Sequence, residues 1–284
     1  MSRIVYLNGQ FLPEAEARVS VFDRGFTFAD AVYEVTAVVG GKLVDYAGHA
    51  ARLTRSLGEL GIRVPCDAAQ MLALHREMVA RNGLDEGLIY LQISRGVEDR
   101  DFLFDDSLTP TFVMYTQARV VLANPKIETG LKIAIAPDGR WARRDIKTVQ
   151  LLLSSLAKTA AHAQGADDVF LVEDGLITEA SGANAHIIDA RGVLITRPLS
   201  HAILSGITRG SILELARAAG IAVEERGFSV EEAKAASECF LSSATSFVMP
   251  VVELDGQMIG EGKPGPLSKR LRALYLDYKL ATAI

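Results

Sequence analysis

The sequence has few cysteines, no ligand-spaced histidines and no excess of positive charge, and each shortage excludes a class of protein. Cys66 and Cys239, its two cysteines, lie in no metal or redox spacing, which suits a reducing cytoplasm rather than a disulfide scaffold. None of the five histidines has the H-E-x-x-H pattern or another metal-ligand spacing, so we predict no metal. The net charge of −5 gives no electrostatic footprint for nucleic acid.

Long hydrophobic runs are also missing. No apolar stretch reaches membrane-spanning length, and residues 1–9 contain no apolar segment of the kind that a signal peptide needs. We therefore expect a soluble cytoplasmic protein that binds neither nucleic acid nor a membrane.

The residues that are present predict an α+β fold with two lobes. A hydrophobic content of 49% over 284 residues is enough for one large core or two ordinary ones. Asn8-Gly9 and Gly40-Gly41 separate strand-like runs and predict hairpins. Residues 119–130, with Asn124-Pro125, are typical of a linker. We predict an N-terminal α+β domain over 1–118 and a C-terminal domain with a β-meander over 131–284.

One lysine, Lys147, stands just before a Leu/Ala-rich run from Val149 to Ala163. The run predicts a buried helix, which places Lys147 where a polar loop meets an apolar interior. Desolvation there disfavours an ammonium and favours the neutral amine that Schiff-base chemistry requires. The alternative is a lysine whose stem covers the core while its head reaches water. Position alone favours that alternative.

Three further segments suit an anionic, flat ligand. Gly206-Ile207-Thr208 precedes an amphipathic helix, where Thr208 is able to cap and free N–H groups favour a phosphate. Small residues follow Glu179, whose carboxylate is able to pair with a protonated ring nitrogen. The segment 242–246 ends a strand in exposed hydroxyls. Taken singly, these are a capped helix, a polar loop and a turn.

Taken together, the same segments indicate a ligand site, because they supply an amine, a carboxylate and several hydrogen-bond donors suited to an anion. Arg52, on the first helix, adds a possible phosphate clamp, although an arginine there is usually solvated. This set is what holding a phosphorylated pyridine aldehyde requires.

In these motifs, and over nearly its whole length, the chain resembles the class IV pyridoxal-phosphate aminotransferases of fold type IV. Within that family it is most similar to the D-amino-acid aminotransferases. The matching segments, in chain order, are 23–25, 29–35, 49–53, 95–96, 145–147, 178–181, Asn184 and 203–209.

The resemblance implies a role for each candidate residue. Lys147 would be the catalytic Schiff-base lysine and move a proton, and Glu179 would keep the pyridine nitrogen protonated. Further cofactor-binding residues would be Arg52, Ser181, Leu204, Gly206, Ile207, Thr208, Ser243 and Ala244. Substrate-binding residues would be Tyr33, Val35, Arg100, Phe102, Gly182 and Ala183. The family also implies a homodimer.

The implied reaction is ping-pong transfer of an amino group from a D-amino acid, of the D-alanine or D-glutamate type, to 2-oxoglutarate or pyruvate. Two departures bear on the substrate. Phe102 stands where familiar members have a histidine, and Gly182-Ala183 is similar to branched-chain L-aminotransferases. The alternatives are a branched-chain L-amino-acid aminotransferase, an (R)-amine transaminase and, as a different class, aminodeoxychorismate lyase.

Overall fold

A computed structural model describes residues 2–284, which form two units. The first unit contains the chain up to Val121 together with Ile146–Gln150 and Thr282–Ile284. The second contains Leu122–Asp145 and Leu151–Ala281. The change at Val121 falls inside the linker predicted at 119–130. The segment Ile146–Gln150 belongs to the first unit, although the predicted N-terminal domain ends at 118. It joins this unit through backbone pairing with residues distant in the sequence, which the sequence pattern does not reveal.

An antiparallel sheet of six strands forms the centre of the first unit, in the order β2-β1-β6-β5-β3-β4. The two predicted hairpins are present: Asn8 and Gly9 have φ values of 47° and 93°, and Gly40 and Gly41 have 58° and 69°. These positive values are the ones that tight hairpin turns demand. The strands are β1 (Ile4–Leu7), β2 (Gln10–Pro13), β3 (Ala31–Val39), β4 (Lys42–Leu43), β5 (Glu86–Ser94) and β6 (Thr111–Ala118).

The helices of the first unit are α1 (Arg24–Phe28), α2 (Tyr46–Glu59) and α3 (Ala68–Asn82). Helix α2 packs on β3, whose Val32 and Val38 are fully buried. Successive side chains of a strand point to opposite faces, so Glu34 and Thr36 share that covered face. Tyr33 and Val35 lie on the opposite, half-buried face.

The second unit is built on a mixed sheet in the order β12-β11-β10-β13-β14-β7-β8-β9, with β15 paired to β14. Its core contains Phe170, Ile177, Phe228 and Leu254, all fully buried. The strands are β7 (Leu131–Pro137), β8 (Asp168–Glu173), β9 (Leu176–Ala180), β10 (Asn184–Ile188), β11 (Leu194–Thr196), β12 (Val223–Glu225), β13 (Glu238–Ser243), β14 (Phe247–Leu254) and β15 (Gln257–Met258).

The helices of this unit are α4 (Lys126–Thr129), α5 (Leu152–Ala163), α6 (Ile207–Ala218), α7 (Val230–Lys234) and α8 (Pro266–Ala281). Helix α7 has the expected capping box between Ser229 and Glu232. Helix α8 is missing from the sequence prediction, although its buried Leu271 and Tyr275 recur at helical spacing. Within the described part of the chain, no helix combines the length and the apolarity that crossing a membrane would need.

The prediction of a buried helix after Lys147 is wrong in two respects. Helix α5 begins only at Leu152, and Leu152 and Leu156 are 73% and 61% exposed. Only Ser154 and Ala161 of this helix are buried. The run is not apolar on all sides: Ser155, Lys158, Thr159 and His162 recur at helical spacing and are exposed, a pattern typical of a helix with one face in solvent rather than of a buried helix.

Candidate active site

In the first unit, Lys147 lies in an extended segment beside the start of β3. The Tyr33 N–H donates to the Lys147 carbonyl at 3.0 Å, and the Val149 N–H donates to the Ala31 carbonyl at 3.2 Å. The Lys147 N–H donates to the Ser56 hydroxyl at 3.4 Å. Backbone pairing therefore fixes the main chain of Lys147, whose side chain is half-buried.

The side-chain nitrogen of Lys147 lies over an aromatic ring. Its Nζ is 4.1 Å from the centroid of the Tyr33 ring, a distance at which a cation is attracted to the ring face. Tyr33 stacks on Tyr90 at 5.5 Å, and Tyr90 stacks on Tyr115 at 4.8 Å. Val35 pairs with Tyr90 across the sheet. The structure thus brings together the predicted residues Lys147, Tyr33 and Val35.

Arg52 lies in the same unit but is buried, contrary to the usual solvated arginine. Its Nε and Nη2 donate to the two carboxylate oxygens of Glu34, at 2.7 and 2.8 Å. His49 Nδ1 lies 2.8 Å from Glu34 Oε2. Burial alone would raise the pKa of Glu34, but Arg52 and His49 lower it to about 2. Glu34 and His49, which sequence reasoning left without a role, hold the Arg52 guanidinium in place.

Arg100 and Phe102 form a separate group in the loop after β5. The guanidinium carbon of Arg100 lies 5.4 Å from the Phe28 ring centroid and 5.7 Å from that of Phe102. The two rings are 5.8 Å apart, edge to face. Phe102 is 79% exposed. Phenylalanine at this position gives Arg100 an aromatic neighbour and no hydrogen-bonding partner.

In the second unit, Glu179 near the end of β9 is completely enclosed by donors. Arg140 Nη1 donates to Oε1 at 2.5 Å. The other oxygen, Oε2, accepts from Asn184 Nδ2 and from the Leu204 N–H, both at 3.2 Å. Burial raises the pKa of Glu179, and Arg140 offsets only part of that effect.

Arg140 divides its hydrogen bonds between two carboxylates. Besides the contact with Glu179, its Nε and Nη2 donate to Asp138 at 2.9 and 2.7 Å. Thr178 donates its hydroxyl to the same Asp138 at 2.7 Å. Sequence reasoning missed both Arg140 and Asp138. The run of arginines at 140, 143 and 144, shortly before Lys147, was the available signal.

Helix α6 begins against Asn184. Gly206 is the N-cap residue, and no side chain caps the helix. The expectation that Thr208 caps is therefore wrong: Thr208 lies buried in the first turn. A Cβ atom on Gly206 would lie 2.0 Å from Asn184 Oδ1, so a larger residue here would displace the Asn184 side chain. The first-turn N–H groups of a helix have no partner within it and suit an anion.

Two turns lie at the same edge of the sheet as the start of α6. The Ala180 N–H donates to the Ala183 carbonyl at 2.8 Å and closes the first turn. Asn184 pairs with Ser242, which places the turn between β13 and β14 beside it. The hydroxyls at 242–246 are not all exposed as expected, because Ser242 is buried against His186 at 2.8 Å.

The second unit thus gathers at one edge most of the cofactor residues that the resemblance implies. They are Glu179, Ser181, Leu204, Gly206, Ile207, Thr208, Ser243 and Ala244, with Gly182 and Ala183 in the first turn.

The chain is similar to known proteins over most of its length. The sequence model of class IV amino-transferases matches residues 31–254. A D-alanine aminotransferase of Bacillus licheniformis is 36% identical over 270 residues, which cover 94% of each chain.

Solved structures share the fold along almost the whole chain. The branched-chain amino acid aminotransferase of Escherichia coli superposes with a TM-score of 0.91 at 23% identity, covering 98% of this chain and 95% of that one. A hypothetical aminotransferase of Mycobacterium tuberculosis, in a PLP-bound form, has a TM-score of 0.85 at 22% identity, covering 98% and 99%. The predicted α+β, fold type IV architecture is confirmed.

Proposed function

Because the chain belongs to the class IV aminotransferase family, we propose that it transfers an amino group from a D-amino acid to a 2-oxo acid by a ping-pong mechanism. The observation that carries the proposal is the buried Glu179 carboxylate, held beside the start of α6. The 36% identity to a D-alanine aminotransferase supports the D-amino-acid class.

The residues present fit pyridoxal phosphate, the cofactor of this family. Glu179 is buried with one cationic partner, which it shares with Asp138. A protonated ring nitrogen would supply the positive charge that this carboxylate lacks. The glycine at the start of α6 and the partnerless N–H groups of a first helical turn suit the phosphate.

Bound pyridoxal phosphate supplies an aldehyde that condenses with amines and a ring that accepts electrons. We assign to Lys147 Nζ the removal of the proton from the substrate α-carbon, with Tyr33 fixing the position of the amine. Glu179 would hold the proton on the ring nitrogen. Contacts to the phosphate and ring are assigned to Arg52, Ser181, Leu204, Gly206, Ile207, Thr208, Ser243 and Ala244.

For the substrate we propose contacts from Tyr33, Val35, Arg100, Phe102, Gly182 and Ala183. Arg100 carries a charge suited to the substrate carboxylate, and Phe28 and Phe102 line it with apolar surface. Since Phe102 donates no hydrogen bond, Arg100 would bind the carboxylate without the help that a histidine provides.

We further propose that the enzyme is a cytoplasmic homodimer. Both of its cysteines are free, which suits a reducing compartment. Phe26, Phe102, Leu103 and Leu152 are each more than 70% exposed, and exposed apolar surface of this kind commonly marks a protein interface. Light scattering of the purified protein will give the mass.

A coupled assay of amino donors with 2-oxoglutarate and pyruvate tests the proposal. We expect activity with D-alanine and D-glutamate, little with the L-enantiomers, and a visible absorption band from the bound cofactor. Lys147→Ala should abolish both activity and band, because no other group is assigned to form the bond or move the proton. A clear preference for L-leucine would replace the proposal by a branched-chain activity, and an active Lys147→Ala enzyme would refute the mechanism.

A further inference from the structure

Asn184 connects three of the site residues through one side chain. Its Nδ2 donates to Glu179 Oε2 at 3.2 Å and to the Leu204 carbonyl at 3.0 Å. Both partners are acceptors, so the amide has only one orientation that satisfies them. Its Oδ1 therefore faces Gly206, where a Cβ atom would lie 2.0 Å away.

The backbone of Asn184 is as firmly placed as its side chain. It is the first residue of β10 and pairs with Ser242 of β13. Only 5% of the residue is exposed. A side chain anchored in the sheet thus sets where the Glu179 carboxylate lies relative to the start of α6.

We infer that Asn184 is a positioning residue that fixes the Glu179 carboxylate, as an anion, for contact with the ring nitrogen of the cofactor. The inference rests on the proposed function and names a residue to which sequence reasoning gave no role.

The energetic reason lies in the two oxygens of Glu179. Arg140 holds Oε1, whereas Oε2 has Asn184 Nδ2 and the Leu204 N–H as its donors. Hydrogen bonds to a carboxylate stabilise its charged form, and burial opposes that form. Without Asn184, the Glu179 carboxyl would turn away or take up a proton, and a neutral carboxyl cannot keep a proton on the ring nitrogen.

The test compares two ligands on the purified full-length enzyme. One is pyridoxal phosphate, and the other is its 1-deaza analogue, in which carbon replaces the ring nitrogen. Dissociation constants are measured by equilibrium dialysis for the wild type and for Asn184→Ala. Asn82→Ala is the matched control, because Asn82 also bonds backbone groups through its amide, at Ile4 and Met78 in the first unit.

We expect Asn184→Ala to weaken the binding of pyridoxal phosphate about tenfold or more. The affinity of this variant for the 1-deaza analogue should stay within about twofold of the wild-type value. Asn82→Ala should lower the melting temperature without changing the ratio of the two affinities. Equal weakening of both ligands by Asn184→Ala would overturn the inference, since the residue would then act on the fold alone.

Asn184→Asp keeps the shape of the side chain and covers the case in which the alanine variant does not fold. Its introduced carboxyl donates to Glu179 only when protonated, so selective loss of pyridoxal phosphate should appear as pH rises and reverse as pH falls. A pH-independent affinity ratio would count against the inference. A wild type that binds neither ligand would instead refute the proposed function itself.

Discussion

Two buried glutamates, Glu34 in the first unit and Glu179 in the second, each face an arginine, yet their pKa values move in opposite directions. Burial opposes ionisation of both. Arg52 gives two hydrogen bonds to Glu34, and His49 adds a third contact, so the pKa falls to about 2. Arg140 gives Glu179 one contact and Asp138 two, so the pKa of Glu179 stays raised.

The difference shows how the partners of an arginine decide the state of a carboxylate. A guanidinium that gives two hydrogen bonds to one acid favours the ionised form of that acid. A guanidinium divided between two acids leaves one of them short of positive charge. In this molecule that acid is Glu179, the one that we propose to face a protonated ring nitrogen.

Removal of Arg52 should have the largest effect on stability. Arg52→Met leaves Glu34 buried with His49 as its remaining side-chain partner, and breaking a buried pair in this way costs about 3–5 kcal/mol of unfolding free energy. Urea denaturation of the cofactor-free protein measures the loss. The control is Arg55→Ala on the same helix: Arg55 is 42% exposed beside Glu59, so about 0.5 kcal/mol is expected. Equal costs for the two variants would contradict the distinction between a buried and an exposed arginine.

Removal of Arg140 should lower the unfolding free energy less than removal of Arg52 does, and its main effect should be on cofactor binding. In Arg140→Met, Asp138 keeps the Thr178 hydroxyl as a donor, and Glu179 avoids an unpaired charge by taking up a proton. We expect a loss of about 1–3 kcal/mol together with much weaker binding of pyridoxal phosphate. Unfolding and cofactor titration on the same preparation separate the two effects. A loss of stability as large as that in Arg52→Met would show that Glu179 does not protonate, and the comparison would fail.

The pH dependence of the stability of the cofactor-free protein should have opposite signs for the two acids. The pKa of Glu34 is lowered from 4.5 to about 2, so its stabilisation is present above 4.5 and lost as pH falls toward 2. The pKa of Glu179 is raised, so its contribution is present below its unfolded value and lost as pH rises through its folded value.

The urea midpoint as a function of pH, for the wild type and Glu179→Gln, isolates the second effect. The variant should lose the decline on the alkaline side and keep the acid limb, to which Glu34 contributes together with other carboxylates of lowered pKa, among them Asp138 and Glu225. A change in the acid limb alone would mean that the two groups had been assigned the wrong signs.

Local signals in the sequence predicted a good part of the fold. Asn8-Gly9 and Gly40-Gly41 mark hairpins because the turns demand positive φ. Ser229 and Glu232 form a capping box because a spacing of three residues lets each side chain reach the backbone N–H of the other. The signals failed where the deciding contact is distant. Thr208 has the chemistry of a cap, yet the helix begins at Ile207 with Gly206 as its N-cap, and Asn184, distant in the sequence, lies beside that glycine.

The sequence by itself determined the set of reactive groups: one lysine before a Leu/Ala-rich run, a glutamate among small residues, and a glycine before a helix. Chemical type and short-range spacing are enough for that. Only the tertiary structure decided which partners each group has. Those partners lower the pKa of Glu34 and leave the pKa of Glu179 raised. Arg140 meets Glu179 across 39 residues and Arg52 meets Glu34 across 18. Hydrogen bonding and burial at such separations depend on the packing of strands and helices, which no local pattern encodes.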